Sequence, residues 1–398
     1  MSVPISDRTN KKRPDFPIVT LALIALNVVA YIVIALAQPD DQREIYRLFG
    51  LTARDAQFFN MFTSLFLHSD AVHLVTNMIF LWLFGRSLER VLGAVEYLIL
   101  FVGCGLFAAV THLAIVYAFM PPDAATQPAL GASGAIAGIL GVYAIRFCRN
   151  KFQFLGLEVP SSLLLLAWLM LQVFLGILSL YIPNPKLQNV DYWAHMGGFM
   201  FGIMVAHLTN LASVGRKEYL VTDAENSFIR GTLLDVVRKY ESLLRYDAND
   251  PFANAELGRT WALLEDQEQA LPYYHAAINL YLKSGKGADA ALRYQELHNL
   301  LPDAALPSDT LYRLGCYFEE AGKASEALSA LNEICSFRVG EVQCEMAMLK
   351  VAQIQMSQLN QPILAVSTLE KFLELYPNSE WRRFAEQTLE AAHIMVES

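Results

Sequence analysis

Ser133 lies in the stretch ALGASGAIAG, residues 129–138, a single hydroxyl among glycines and alanines. His195 sits in DYWAHMGG, and His73 and Asn77 begin and end HLVTN. A serine and a histidine are the minimum for nucleophilic acyl transfer. The hydroxyl is a weak nucleophile until a base takes its proton, and imidazole suits that role because it titrates near physiological pH. The oxyanion that then develops needs donors. The Asn77 amide, the His73 ring N–H and the Ser133 backbone N–H are of the right kind. All four residues stand in apolar surroundings, where a polar side chain is expensive and so is a functional candidate.

The elements that must position them are membrane helices. Uncharged apolar runs occur at Phe16–Ala37, Ala71–Gly85, Tyr97–Met120, Ala129–Ile145, Val159–Ile182 and Tyr192–Leu208. A span needs about 20 apolar residues, and the short second run is extended by amphipathic flanks. The pattern predicts six transmembrane helices. Basic residues set their direction: RTNKKR (Arg8–Arg13) precedes the first span, Arg86 and Arg90 follow the second, Arg146, Arg149 and Lys151 the fourth, and Arg216 and Lys217 the sixth. The positive-inside rule then places both termini in the cytoplasm, against some contrary weight from three arginines in Gln38–Asp70. Ala35–Ala37 imitates a signal-peptidase site, but the apolar stretch before it is longer than a signal h-region, so the first helix is read as retained.

In this topology the second, fourth and sixth spans run from outside to inside. Each carries its polar residues near its outer end, so His73, Asn77, Ser133 and His195 converge at one depth. Gly134 and Gly138 form one GxxxG face and Gly198 and Gly202 another, which lets the fourth and sixth spans approach closely. Gly131 and Gly134 beside the serine permit an irregular backbone that exposes its N–H, tolerable in a membrane where it lines a cavity.

Taken singly, Ser133 also suits a small-residue packing face, His195 a hydrogen-bonded membrane histidine, and Asn77 interhelical glue. Jointly they favour a Ser–His dyad. His112 and His207 have no identifiable partner. Asp191, four residues before His195, leaves a Ser–His–Asp triad open. Tyr192 and Trp193 read as interfacial aromatics. There is no HExxH motif and no pair of aspartates in facing spans. Neither a metal nor a cofactor is expected, and Cys104 has no base at its depth.

GASG at the fourth span, AHMGGFMFG in the sixth and HLVTN in the second resemble the rhomboid family of intramembrane serine proteases, over about residues 14–210. The resemblance implies cleavage of transmembrane substrates near the outer end of their spans. It implies Ser133 as nucleophile and His195 as general base, with His73, Asn77 and the Ser133 N–H as the oxyanion hole. Gly85, Glu89 and Gly93 match a further family pattern, and His68 a position with a structural role. Two features depart from it. Phe59-Asn60 stands where many members carry Trp-Arg in the first external loop, and Ala137 where many carry an aromatic that stacks on the histidine.

The second half has a different solvent. Of 398 residues 54% are apolar and the net charge is −9, but the chain up to Lys217 carries +3 and the remainder −12. The acidic part argues against nucleic acid as a partner. Five cysteines without CxxC spacing imply a reducing compartment for it. Pro251–Leu280 and Ser308–Ile334 share Leu-Gly (Leu257-Gly258, Leu314-Gly315) followed by Ala-Leu (Ala270-Leu271, Ala327-Leu328), and Pro362–Ser379 resembles a further second helix. This resembles tetratricopeptide repeats of degenerate period, irregular between Leu257 and Leu314. Such a solenoid offers a concave face to a protein partner.

The sequence therefore predicts an all-α chain: a six-span rhomboid-like bundle over 1–217, a short linker at Gly215–Thr222, and a cytoplasmic tetratricopeptide-like solenoid over 218–398. Its partners would be the bilayer, a transmembrane substrate and a protein on the repeats. The six-span core points to a bacterial or archaeal cytoplasmic membrane. Two rival readings are a catalytically inactive rhomboid-like adaptor that binds transmembrane helices, and a scaffold whose spans only localise the repeats.

Overall fold

Helix α7 (Ser133–Arg146) is the axis of the membrane part, with every residue from Gly134 to Tyr143 buried. The computed structural model describes residues 16–120, 122–154, 157–182, 191–337 and 342–397. The basic stretch Arg8–Arg13, used above to orient the first span, lies outside them. Two compact units are formed, Met1–Arg216 and Lys217–Ser398.

In the first unit, α1 (Ile18–Ala35) is followed by amphipathic α2 (Pro39–Phe49) and the short α3 (Asn60–Thr63). Next, α4 (Ala71–Phe80) continues through a π-helical turn, Leu81–Gly85, into α5 (Arg86–Leu92). The long α6 (Ala94–Phe119) leads to α7, then to a two-stranded antiparallel hairpin of β1 (Lys151–Phe154) and β2 (Leu157–Pro160), then to α8 (Ser161–Tyr181) and α9 (Tyr192–Leu208). Helices α6 and α9 pack directly on α7. Outward faces stay apolar and exposed, with Leu26, Val29 and Val33 on α1, Ile99 and Val110 on α6, and Leu166, Met170 and Phe174 on α8. In water such faces would be an aggregation hazard; in a bilayer they meet lipid.

Among the described residues four helices are long and apolar enough to span a membrane: α1, the joined α4–α5 (Ala71–Leu92), α6 and α8. With the bent pair Tyr192–Leu208 and Leu211–Ile229 counted as one span the number is five, so the six expected from the sequence are not all matched by length and composition. Helix α7 has 14 residues, and α9 qualifies as a span only together with the helix after it. Both are the glycine-rich helices. Shielded from lipid by neighbouring helices, α7 needs neither the length nor the bulk of a lipid-facing span.

A polar clamp fixes the start of α1. Glu89 of α5, fully buried, accepts hydrogen bonds from the backbone N–H of Val19 (2.8 Å) and Thr20 (2.8 Å) and from the Thr20 hydroxyl (2.6 Å). Pro17, the residue before the helix, supplies no cap of its own, so a carboxylate from another helix satisfies the first turn and complements its dipole.

α10 (Leu211–Ile229) follows α9 after a break at Asn210, whose φ is +57°. Gly215–Thr222 is thus helical and not the linker expected from its sequence. The second unit then contains α11 (Leu233–Leu244) and the pairs α12 (Pro251–Leu263) with α13 (Gln267–Lys283), α15 (Ser308–Glu320) with α16 (Ala324–Phe337), and α17 (Val342–Ser357) with α18 (Pro362–Leu375). α19 (Arg382–Glu397) packs on α18. A single helix, α14 (Gly287–Leu300), separates the first two pairs and accounts for the long interval between the Leu-Gly motifs. The motif glycines have a shared physical role. A Cβ on Gly258 would lie 2.8 Å from the Tyr274 ring, and one on Gly315 2.6 Å from Leu331, so each glycine receives the second helix of its own pair. Ala270 and Ala327 are fully buried at the same seams.

Candidate active site

Ser133 is the first residue of α7, and the chain approaches it through an unusual backbone. Ala129 pairs with Leu51 in an isolated antiparallel bridge (2.8 and 3.2 Å). The Gly131 N–H then bonds the Ser64 carbonyl at 2.9 Å. Gly131 has φ +117°, a conformation that favours glycine. Space demands glycine there too: a Cβ would lie 2.8 Å from His73 Cε1, 3.0 Å from His73 Nε2 and 3.5 Å from Asn77 Nδ2. The imidazole of His73 and the amide of Asn77 therefore close over the backbone two residues before the serine.

α4 places those two side chains. Its N-terminus is capped by Asp70, whose Oδ1 accepts from the His73 N–H at 2.9 Å, and four residues bring Asn77 to the same face one turn on. Asn77 Nδ2 lies 2.9 Å from His68 Nε2. His68 is fully buried, its ring edge-to-face with His73 at 5.1 Å, and its carbonyl accepts from the Tyr46 hydroxyl at 2.9 Å. The Asn77 amide nitrogen has two N–H groups, so one remains after the bond to His68.

His195 comes from α9, and the α7–α9 seam is made of glycine. A Cβ on Gly198 would collide with the Gly134 carbonyl oxygen, one on Gly202 with the Gly138 carbonyl oxygen, and one on Gly138 would lie 3.0 Å from the Gly198 carbonyl oxygen. At the top of the seam a Cβ on Gly134 would lie 3.9 Å from Ala194 Cβ. Ser133 and His195 are the chain neighbours of Gly134 and Ala194, and all five glycines singled out in the sequence fall at the seam or against the His73–Asn77 pair. Among the described residues the Ser133 hydroxyl makes no hydrogen bond, to His195 or to another group.

The His195 ring is held from a side that the sequence did not reveal. Its Nδ1 lies 2.8 Å from Oε1 of Gln172, a buried residue of α8. Trp168, one turn earlier on α8, stands 6.2 Å from the ring at a tilt of 32° and also meets Phe199 at 5.8 Å. The aromatic absent at Ala137 is thus replaced by one from another helix. A signal existed: Gln172 is an amide inside the apolar run SSLLLLAWLMLQVFLGILSLY, with Trp168 at i−4.

Asp191 does not complete a triad. Its Oδ1 caps α9 through the Ala194 N–H at 3.0 Å, and its Oδ2 pairs with His112 Nδ1 of α6 at 2.5 Å. This corrects both the triad left open above and the lack of a partner for His112. The departure at Phe59-Asn60 is also accounted for. Buried Asn60 donates to the Leu48 carbonyl (2.8 Å) and Thr63 to that of Phe49 (2.6 Å), so this loop is tied to the C-terminal carbonyls of α2. Phe59 packs edge-on against Phe49 at 6.0 Å.

Residues 55–210, which hold the glycine-seamed helices α7 and α9 with Ser133 and His195, match the family model described as Rhomboid domain. Residues 346–379 match Tetratricopeptide repeat. The chain carries a rhomboid domain followed by tetratricopeptide-like repeats. It is 33% identical to Rhomboid protein 1, mitochondrial, of Saccharomyces cerevisiae over 35% of this chain and 39% of that protein. It is 23% identical to Rhomboid protease GluP of Bacillus subtilis over 50% of this chain and 36% of the relative. It is 25% identical to Rhomboid protease GlpG of Haemophilus influenzae over 47% of this chain and 88% of the relative. The chain thus spans under two fifths of the yeast protein and of GluP, and most of GlpG.

Proposed function

We propose that the chain is an intramembrane serine endopeptidase that cleaves transmembrane proteins with a Ser133–His195 dyad. The observation that supports this reading is the close approach of α9 to the start of α7, where a Cβ on Gly198 would collide with the Gly134 carbonyl oxygen. In the proposed reaction Ser133 Oγ attacks the scissile carbonyl carbon while His195 Nε2 takes the hydroxyl proton. The tetrahedral oxyanion accepts hydrogen bonds from the Ser133 N–H, the His73 ring and the free N–H of Asn77. The C–N bond then breaks as the imidazolium returns its proton to the leaving amine. Water, deprotonated by the same histidine, releases the acyl group from Ser133 and restores the hydroxyl. Closing the Ser133–His195 hydrogen bond belongs to substrate binding, since catalytic hydrogen bonds often tighten only in the complex.

The same proposal places both termini in the cytoplasm and gives the repeat unit the task of recruiting a substrate's cytoplasmic part or a regulator, raising effective concentration and leaving the chemical step alone. The test is to label the purified protein with a fluorophosphonate probe and locate the adduct by mass spectrometry. An adduct on Ser133 that disappears in His195→Ala supports the dyad. Folded protein that takes no label and cleaves no transmembrane substrate is instead an inactive adaptor for transmembrane helices.

A further inference from the structure

We infer that Gln172 is a positioning residue: its side-chain carbonyl holds the His195 imidazole in the tautomer and orientation that accept the Ser133 proton. This rests on the dyad reading above and adds to it a residue from α8.

An imidazole that is to take a proton at Nε2 must carry its own hydrogen at Nδ1. In water the two tautomers exchange freely, and solvent satisfies either nitrogen. In an apolar site a buried N–H without an acceptor is costly, so whatever faces Nδ1 selects the tautomer. Here that group is Gln172 Oε1 at 2.8 Å. A carbonyl oxygen accepts and cannot donate, so the bond is Nδ1–H to Oε1 and the lone pair is left on Nε2. An amide N–H facing Nδ1 would select the opposite tautomer and disable the base. Asp191, the carboxylate nearest in sequence, is engaged by His112 and by the Ala194 N–H. No other side-chain hydrogen bond is made by His195 among the described residues.

α8 is built for this task. Its inward stripe runs Leu165, Trp168, Gln172 and Gly176 at helical spacing, with Leu165, Gln172 and Gly176 buried. Gly176 makes room one turn below: a Cβ there would lie 3.3 Å from Tyr192 Cβ and 3.5 Å from the Trp193 ring. That lets α8 sit close to the start of α9, within reach of His195. Trp168 covers the ring from the turn above, so the imidazole is restrained by a hydrogen bond at Nδ1 and by an aromatic face. An amide in an otherwise apolar lipid-facing helix is expensive unless it is partnered, and the partner it has is the candidate base.

The test compares two variants in the full-length protein, in detergent, on one transmembrane substrate. Gln172→Met keeps length and apolar volume but removes the acceptor. Gln172→Glu keeps an oxygen acceptor at the same reach, because even a protonated carboxyl retains its carbonyl. We expect Gln172→Met to lower kcat by about 10²-fold with KM within about two-fold, a part of the about 10⁴-fold loss that a wrong tautomer causes in a serine triad. We expect Gln172→Glu to retain kcat within about ten-fold of wild type. Equal kcat for wild type and Gln172→Met overturns the inference, and so does an equal loss in the two variants at matched folded fraction. If Gln172→Met does not fold, Gln172→Glu decides against Gln172→Leu scored by probe-labelling rate per folded molecule, with the same two outcomes. A wild-type protein that neither cleaves nor labels is a failure of the protease reading, which is a different result from any of these.

Discussion

Asp191 and His112 are bound to each other across α9 and α6, Oδ2 to Nδ1 at 2.5 Å, and among the described residues neither side chain hydrogen-bonds His195, whose Nδ1 is taken by Gln172. The acid that sequence spacing offered to the histidine is a helix cap and an interhelical tie. Asp191→Ala should therefore weaken the fold and spare the chemistry. Losing an N-cap typically costs about 1 kcal/mol, and orphaning a buried donor about 1–3 kcal/mol, so a loss of about 2–4 kcal/mol is expected. Thermal unfolding in detergent measures it. Fluorophosphonate labelling per folded molecule should stay within about three-fold of wild type, and a hundred-fold fall would put Asp191 back into the catalytic chain.

The dyad predicts a different pattern. Ser133→Ala and His195→Ala should each reduce cleavage of a transmembrane substrate by on the order of 10⁴-fold or more, because nucleophile and base act as a unit. Both proteins should still accumulate in the membrane, since neither side chain fills the α7–α9 seam; Ser133→Ala should melt near the wild-type temperature and His195→Ala lower, because it leaves the buried Gln172 amide without its partner. Turnover at the wild-type rate in either variant rules the dyad out.

Asn77 has two duties, to His68 and to the oxyanion. Asn77→Ala should slow cleavage by about 10²–10³-fold, the usual cost of one oxyanion donor, while Ser133 still labels with the probe. An unchanged rate in folded protein would leave Asn77 as a partner of His68 and nothing more.

How far the sequence foretold this site depends on what each residue's signal was made of. Ser133, His73, Asn77 and His195 were legible because polar groups are conspicuous in apolar runs. The glycine seam was legible because GxxxG is a spacing of backbone approach. Gln172 was as conspicuous in its apolar run, but its role and that of Trp168 were not legible, because they depend on how α8 packs beside α9, which no local pattern encodes. The partner of Asp191 was not legible for the same reason: i, i+4 spacing only left a triad open, and the partner it has is on α6. Each of the six apolar runs contains a helix, and the length test falls short of six at α7 and α9, where α7 is short and buried among other helices. In the repeat unit Leu-Gly and Ala-Leu marked the helix pairs correctly, while the lone α14 between them left only an irregular interval.

Helix separation at the seam gives a prediction about small residues. A Cβ on Gly202 would collide with the Gly138 carbonyl oxygen and lie 3.1 Å from Gly138 Cα, which is backbone and cannot move aside by changing rotamer. Gly202→Ala should cost about 1–3 kcal/mol or more through overpacking, and it should cut cleavage by the folded fraction because α9 carries His195. Gly103→Ala is the control. Its Cβ would lie 3.3 Å from the edge of the Phe201 ring, a side chain that can shift, so stability should change by less than about 1 kcal/mol. Equal effects of the two substitutions on melting and on cleavage would show that the seam is not tight.

The final prediction concerns the second unit. Every candidate catalytic group lies before Lys217, and the compact membrane unit ends at Arg216. The helices after it pack around a core that is mainly apolar, with residues such as Leu257, Leu314, Leu331 and Phe372 fully buried. A chain ending at Lys217 cuts α10 within its first two turns, which should fray that helix end without reaching α7 or α9. It is expected to remain in the membrane and to cleave a small transmembrane substrate in detergent within about three-fold of the full-length rate. In cells it should lose those substrates that are delivered through the repeats, since tethering acts on effective concentration. Loss of detergent activity from a truncated protein that still melts cooperatively would show that the repeats support the chemistry itself. Protease accessibility of the repeats in sealed, right-side-out cells or vesicles tests the topology: cleavage there from the outside would reverse the assignment of both termini to the cytoplasm.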